Sequence, residues 1–152
     1  MAQRRSCSTF AECVSYALCQ LKMESVTLKE EQRSAMEAVY NGYDVFVWLP
    51  TGYGKSLCYQ VLPFIMDFKL GLVESSKHSL VLVVSPLVAL MVDQVTSLRK
   101  RSVNCSIVTS SGGIDKDLLT TDDSLLTDST LLYTRSYAIK DAKVSQIVLP
   151  CY

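Results

Sequence analysis

The sequence predicts an α/β domain, a parallel sheet flanked by helices, on three observations. Val45-Phe46-Val47-Trp48-Leu49 is an apolar run that leads through a glycine-rich turn into a helical run. Ser79 to Ser85 is apolar without alternation, the pattern of a strand covered on both faces in a parallel sheet. Strand-like and helix-like segments then alternate, which implies right-handed crossover connections.

Taken in order, Thr9-Phe10-Ala11-Glu12 is a capping-box pattern, and Phe10, Val14, Ala17, Leu18 and Leu21 recur at helical spacing behind it. A second box, Thr27-Leu28-Lys29-Glu30, starts a helix with Ala35, Met36 and Val39 on one face, and Asn41-Gly42 ends it. Asp44 to Trp48 is the first predicted strand. A helix follows from Leu57 to Phe64, and Met66 to Lys77 turns polar. After the strand at Ser79 to Ser85, Pro86 opens another helix, with Leu87, Leu90, Met91, Val95 and Leu98 on one stripe. Cys105 to Val108 is a short strand. Ser110 to Ser129 holds Gly112-Gly113 and five aspartates with little to bury, and reads as a loop or partly disordered segment. Leu131-Leu132-Tyr133 and Gln146 to Leu149 are two further strand-like runs.

A chain of 152 residues suits one domain with one core, and 49% apolar with 20% charged residues is ordinary globular composition. Net formal charge is zero, so no basic excess announces a nucleic-acid partner, and such binding would fall to local groups and backbone amides. Arg99-Lys100-Arg101 reads as a solvated helix end favoured by the dipole. The six cysteines show neither C-x-x-C nor histidine at metal spacing, and Cys13, Cys19, Cys58 and Cys105 read as buried reduced thiols. His78 reads as a solvated loop histidine. No apolar run approaches the roughly 20 residues that span a bilayer, so the chain reads as soluble, intracellular and free of membrane.

The chemistry-bearing stretch is Pro50-Thr51-Gly52-Tyr53-Gly54-Lys55-Ser56. Glycines let successive backbone N–H groups turn toward one anion, and a helix start adds its positive dipole end. Lys55 would reach the β- and γ-phosphates, which makes it the candidate catalytic residue, and the Ser56 hydroxyl would ligate Mg²⁺. The strict pattern asks for glycine where this chain has Leu49. The alternative is a glycine-rich turn with Lys55 solvated.

Three stretches together resemble the first RecA-like lobe of superfamily 2 (DEAD/DEAH-type) helicases, P-loop NTPases, and most closely the RecQ-like DNA helicases. These are Leu28-Lys29-Glu30-Glu31-Gln32, Leu49 to Gln60 (LPTGYGKSLCYQ) and Val83 to Val95 (VVSPLVALMVDQV). The resemblance covers roughly Leu21 to Ser111. It implies that ATP binds with Mg²⁺ at Lys29, Gln32, Pro50, Thr51, Gly52, Tyr53, Gly54, Lys55 and Ser56. Gln32 would meet the adenine edge with one planar amide that both donates and accepts, and Lys29, where the family often has arginine, would sit beside the base. An exposed helix residue is the alternative for Gln32. Ser85, Pro86, Leu87 and Gln94, and less clearly Ser111, resemble groups that hold single-stranded or forked DNA by its backbone. Asp93 is expected to brace that loop or face solvent.

The departures lie toward the end of the chain. Gln146-Ile147-Val148-Leu149 runs into Pro150-Cys151-Tyr152 where the family has Asp-Glu-Ala-His, and Tyr133-Thr134-Arg135-Ser136 lacks the usual Pro-Glu. The expectation is the ATP-binding portion of a RecQ-like 3′–5′ DNA helicase, truncated within the lobe and deficient in hydrolysis by itself. Its segments are 1–26 (helical), 27–111 (ATP-binding lobe) and 112–152 (a divergent remnant). Residence in the nucleus follows from the resemblance alone. The alternatives are a non-catalytic nucleotide- or DNA-binding chain and a small P-loop kinase, the latter disfavoured because Ser110 to Ser129 carries no arginine for a lid.

Overall fold

Helix α1 (Phe10–Gln20) starts where its capping box places it: the Thr9 N–H donates to Glu12 Oε2 at 2.6 Å and the Glu12 N–H to Thr9 Oγ1 at 3.3 Å. The computed structural model describes residues 8–75, 78–108, 129–135 and 147–148. Expectations for Ser111, for 112–128 and for Pro150-Cys151-Tyr152 lie outside them.

Phe10, Cys13, Val14, Ala17, Leu18 and Leu21 form the buried face of α1, at the spacing the sequence shows. They join one apolar cluster with residues of the later helices and strands, among them Ile65, Val83, Met91 and Leu131. Each such side chain contributes about 1.5–3 kcal/mol on leaving water.

Helix α2 (Glu30–Tyr40) begins two residues later than the predicted box. Its N-cap is Lys29, which has no side-chain acceptor, so only the return half of the motif forms: the Lys29 N–H donates to Gln32 Oε1 at 2.9 Å. Asn41-Gly42 ends it as expected, with Gly42 at φ +88° and the Tyr43 N–H reaching back to the Ala38 carbonyl.

The predicted strand at Asp44 to Trp48 does not pair with the sheet. The segment has no regular secondary structure and is largely uncovered, with Tyr43, Phe46 and Trp48 at 70%, 77% and 85% exposure. Its apolar pattern marks what a sheet could cover, but pairing is a long-range property that the pattern does not carry.

The predicted Leu57–Phe64 helix is two helices, α3 (Lys55–Gln60) and α4 (Leu62–Leu70), joined at Val61. Pro63 near the start of α4 has no N–H to continue the earlier ladder. Helix α4 also runs past the expected polar boundary at Met66 to Gly71, which caps it at φ +68°. The aromatic contact between Tyr16 and Phe68, centroids 4.8 Å apart, holds that extra turn against α1.

The sheet is parallel, in the order β2-β3-β1-β4, from β1 (Val81–Val84), β2 (Cys105–Val108), β3 (Leu131–Thr134) and β4 (Ile147–Val148). All four residues of β1 are buried, as the unbroken apolar run requires. Helix α5 (Val88–Lys100) connects β1 to β2, which gives the α/β class expected. Pro86 lies outside α5, whose N-cap is Leu87. Met91, Val95 and Leu98 are buried, but Leu87 and Leu90 are 57% and 39% exposed, so the stripe is shorter than predicted. Among the described cysteines Cys13, Cys58 and Cys105 are buried free thiols, while Cys19 is exposed against expectation because it falls on the outer face of α1. Ser129 and Thr130, at the predicted loop's end, are buried, and the Ser129 hydroxyl lies 3.0 Å from that of Ser106. No helix among the described residues is long and apolar enough to cross a membrane.

His78 is not simply solvated. Its Nδ1 lies 3.4 Å from Asp67 Oδ2, and the buried Asp67 carboxylate also accepts the Ser79 N–H at 2.6 Å. Burial, then the Asp67 charge, pushes the Tyr16 phenol up. Asp67 thus pins the connection from α4 to the start of the sheet. Asp67→Ala leaves the half-buried Ser79 N–H without its acceptor and should cost about 1 kcal/mol, whereas Asp67→Asn keeps an acceptor and should cost less. Urea unfolding of the three proteins tests this, and equal midpoints would remove Asp67 from that role.

Candidate functional site

The glycine-rich loop rests on a backbone that only glycine adopts without strain. Gly52 and Gly54 have φ of +81° and +84°, and Gly54 is the N-cap of α3. Pro50, Thr51 and Gly52 form its exposed tip, and the Tyr53 N–H closes a turn on the Pro50 carbonyl at 3.2 Å. Lys55 folds back on the loop, its Nζ donating to the Leu49 carbonyl at 2.7 Å. Ser56 and Lys55 occupy the first turn of α3 and are both half-buried.

Gln32 is buried at 4% exposure, which removes the exposed-residue alternative. Its Oε1 accepts the Lys29 N–H, and its Nε2 donates to the Tyr53 carbonyl at 3.2 Å and the Gly54 carbonyl at 3.1 Å. One amide therefore ties the first turn of α2 to the loop. The fit is tight, since a Cβ on Gly54 would stand 2.7 Å from Gln32 Nε2.

Lys29 comes to the same place. Its Nζ lies 3.6 Å from the Tyr53 ring centroid and 3.4 Å from the Tyr53 carbonyl oxygen. The Tyr53 hydroxyl donates to Glu31 Oε2 at 2.8 Å. The Glu31 backbone N–H, and next the Tyr53 hydroxyl, hold the Glu31 carboxyl below the usual range, and the same hydrogen bond raises the Tyr53 phenol. Glu31 was not singled out from the sequence. Its place on the first turn of α2 beside a tyrosine-bearing loop was the available signal.

The expected DNA-contacting residues divide into two groups. Ser85 is buried at the carboxyl end of β1, its N–H on the Thr134 carbonyl at 2.9 Å and its Oγ accepting the Leu87 N–H at 3.4 Å. Pro86 and Leu87 are exposed beside it, ahead of the free N–H groups that open α5. Gln94 lies roughly 10 Å further along α5, at 1.5 Å per residue. Its Oε1 accepts the Tyr59 hydroxyl at 2.6 Å, and burial pushes the Tyr59 phenol up to about 12, so it stays a neutral donor. Gln94 thus joins the loop side, lining a cleft of about 360 Å³ that also receives Gly54, Ser56, Gln60, Asp93 and Arg101. Asp93 is exposed there, one of the two readings given for it. Arg101 is half-buried, with Nη1 2.6 Å from Met23 Sδ, and Arg99 holds the Cys105 carbonyl, so two of the three basic residues at that helix end pack locally.

A group that carries a polyphosphate needs a mobile cation, turned-in N–H groups and a hydroxyl for its metal, and the loop supplies each of these residue types. Gly54→Ala should destabilise more than Gly52→Ala. Both pay about 1–2 kcal/mol for a left-handed alanine, but only the first must also displace the Gln32 amide. Chemical denaturation measures the difference, and equal losses would mean that the Gln32 contact is slack in solution.

Residues 29–144 match the DEAD/DEAH box helicase family, which is more than half of the chain. Among similar proteins, the ATP-dependent helicase SGS1 of Saccharomyces cerevisiae is 44% identical over 85 residues, 55% of this chain. The probable ATP-dependent DNA helicase RecS of Bacillus subtilis is 40% identical over 75 residues, 49% of this chain. The ATP-dependent DNA helicase RecQ of Haemophilus influenzae is 28% identical over 122 residues, 80% of this chain. The chain spans only 5%, 13% and 18% of the lengths of these three relatives. It belongs to the DEAD/DEAH box helicase family, and its relatives are RecQ-like.

Proposed function

We propose that this member of the helicase family binds ATP through Pro50 to Ser56, as the ATP-binding portion of a RecQ-like 3′–5′ DNA helicase. The single observation that supports the reading is the Gln32 amide, buried against the Tyr53 and Gly54 carbonyls, which ties the start of α2 to the glycine-rich loop. Lys29 would stand beside the base, and Lys55, here on the Leu49 carbonyl, would reach the β- and γ-phosphates. The Ser56 hydroxyl would hold Mg²⁺, whose charge would offset that of the phosphates. DNA backbone lies against Ser85, Pro86 and Leu87, with Gln94 and Ser111 as further contacts. In this division 1–26 is a helical segment, 27–111 the ATP-binding lobe and 112–152 a divergent continuation. Residence in the nucleus belongs to this reading through the family resemblance alone.

A second reading, a chain that binds nucleotide and DNA without turnover, is favoured by one sequence observation. Gln146 to Leu149 leads into Pro150-Cys151-Tyr152 rather than a pair of acids. Hydrolysis needs acids that hold the metal and align water, and a further cation on the transferred phosphoryl group.

Lys55→Ala removes a charge-assisted contact to phosphate and should weaken a fluorescent ATP analogue by about 10- to 100-fold. Equal affinity in the two proteins would sink the phosphate-loop assignment. Phosphate release with DNA present should stay at the level of the Lys55→Ala protein, and stimulated release above that level would refute the second reading.

Single-stranded DNA should bind weakly and lose affinity steeply with salt, because a neutral chain has no field to replace lost phosphate contacts. Anisotropy across a salt series decides this, and salt-independent binding would argue against backbone contact at Ser85 to Leu87.

A further inference from the structure

We propose that Tyr53 is a built-in occupant of the base site, latched to α2, which an incoming adenine must displace before Lys29 and Gln32 can meet it. The inference rests on the reading of Lys29, Gln32 and the loop as a nucleotide site and adds a competitor that the chain itself supplies.

The first argument is a count of donors. A glutamine amide has two N–H donors, and Gln32 Nε2 already serves two loop carbonyls, those of Tyr53 and Gly54. Its Oε1 already accepts the Lys29 N–H and keeps one lone pair. An adenine edge presents a donor at N6 and an acceptor at N7. The spare lone pair can take the N6 hydrogen, but N7 finds no donor until a loop carbonyl is released. Reading the base with both functions of Gln32 therefore requires a Gln32 bond to the Tyr53-Gly54 backbone to break.

The second argument is what holds that backbone. The Tyr53 hydroxyl is fixed to Glu31 at 2.8 Å, and the Lys29 ammonium stands 3.6 Å from the ring centroid. Lys29 also contacts the Tyr53 carbonyl oxygen at 3.4 Å. Lys29, Glu31 and Gln32, three residues at the start of α2, thus all engage Tyr53. The lysine that would lie beside a base already has an aromatic ring beside it. Both ring contacts are near the surface, so the latch is a modest bias that a nucleotide can overcome.

The latch and a base-stacking role for the same ring predict opposite signs. If the latched form predominates, apparent affinity falls by the fraction of competent molecules, and removing the ring should tighten binding by about three- to tenfold. A fluorescent ATP analogue is titrated into wild type, Tyr53→Ala, Tyr53→Phe, Glu31→Ala and Lys55→Ala, with thermal melts to establish that each is folded. Tyr53→Ala should bind tightest. Tyr53→Phe and Glu31→Ala delete the same hydrogen bond and should share an intermediate gain. Weaker binding by Tyr53→Ala would make the ring a platform for the base and overturn the latch, as would unchanged affinity. Lys55→Ala separates the two failures. If it binds as wild type does, the nucleotide reading itself fails, whereas weakened Lys55→Ala with unchanged Tyr53→Ala sinks the latch alone.

Discussion

The Gln32 side-chain amide is the constraint on which the site depends. It is buried, so its hydrogen bonds must be met inside the protein, and the groups that meet them are the Lys29 N–H and the Tyr53 and Gly54 carbonyls. These belong to the start of α2 and to the loop, two segments with no backbone ladder between them. A buried amide with unpaired donors costs about 1–3 kcal/mol, so loop and helix are held in register by the cost of separating them. A side chain at Gly54 would have to displace the Gln32 amide, which links the loop's glycine spacing to a residue 22 positions earlier.

This tether matters more here because the loop does not hang from the sheet. The apolar segment before it does not pair with the sheet, and Phe46 and Trp48 face water. Loop position is set instead by Gln32 on one side, by α3 on the other, and by the Lys55 bond to Leu49 at its base. The sheet is organised separately, by β1 packed between β3 and β4 and by Asp67, which fixes how the chain enters β1. Cleft and core meet through α3, whose Leu57, Cys58 and Tyr59 are buried while Ser56 and Gln60 face the cleft.

Much of this was legible in the sequence because it is local. The capping box at Thr9, the helix stop at Asn41-Gly42, the strand at Cys105 to Val108 and the α/β class all follow from patterns a few residues long. The start of α2 was misplaced because Gln32 replaces Glu30 as the partner in the cap, and that choice is made by the loop, 21 residues away. The strand expected at Asp44 to Trp48 failed for a related reason, since apolar character states a wish for cover and not which neighbour supplies it. In the site, residue types picked out the loop from Pro50 to Ser56, and the resemblance to RecQ-like helicases picked out Lys29 and Gln32. They did not reveal that Tyr53 would be held by Glu31, because a tyrosine and a glutamate in different elements show no spacing rule.

Helix α5 relates the two halves of the candidate site. Pro86 and Leu87 lead into its N-terminal end at the carboxyl edge of β1, and its middle turns Asp93 and Gln94 toward Ser56. Open α/β sheets bind ligands at the carboxyl ends of their strands, and here Ser85, Thr134 and Val108 meet at that edge through Ser85 N–H to Thr134 and Thr134 Oγ1 to Val108. A helix of 13 residues packed by Met91, Val95 and Leu98 moves as one body. Gln94 is held through Tyr59, which sits on α3 directly after the loop's own helix turn. The Tyr59–Gln94 hydrogen bond thus joins α3, on the loop side, to the middle of α5, whose start lies at the strand edge.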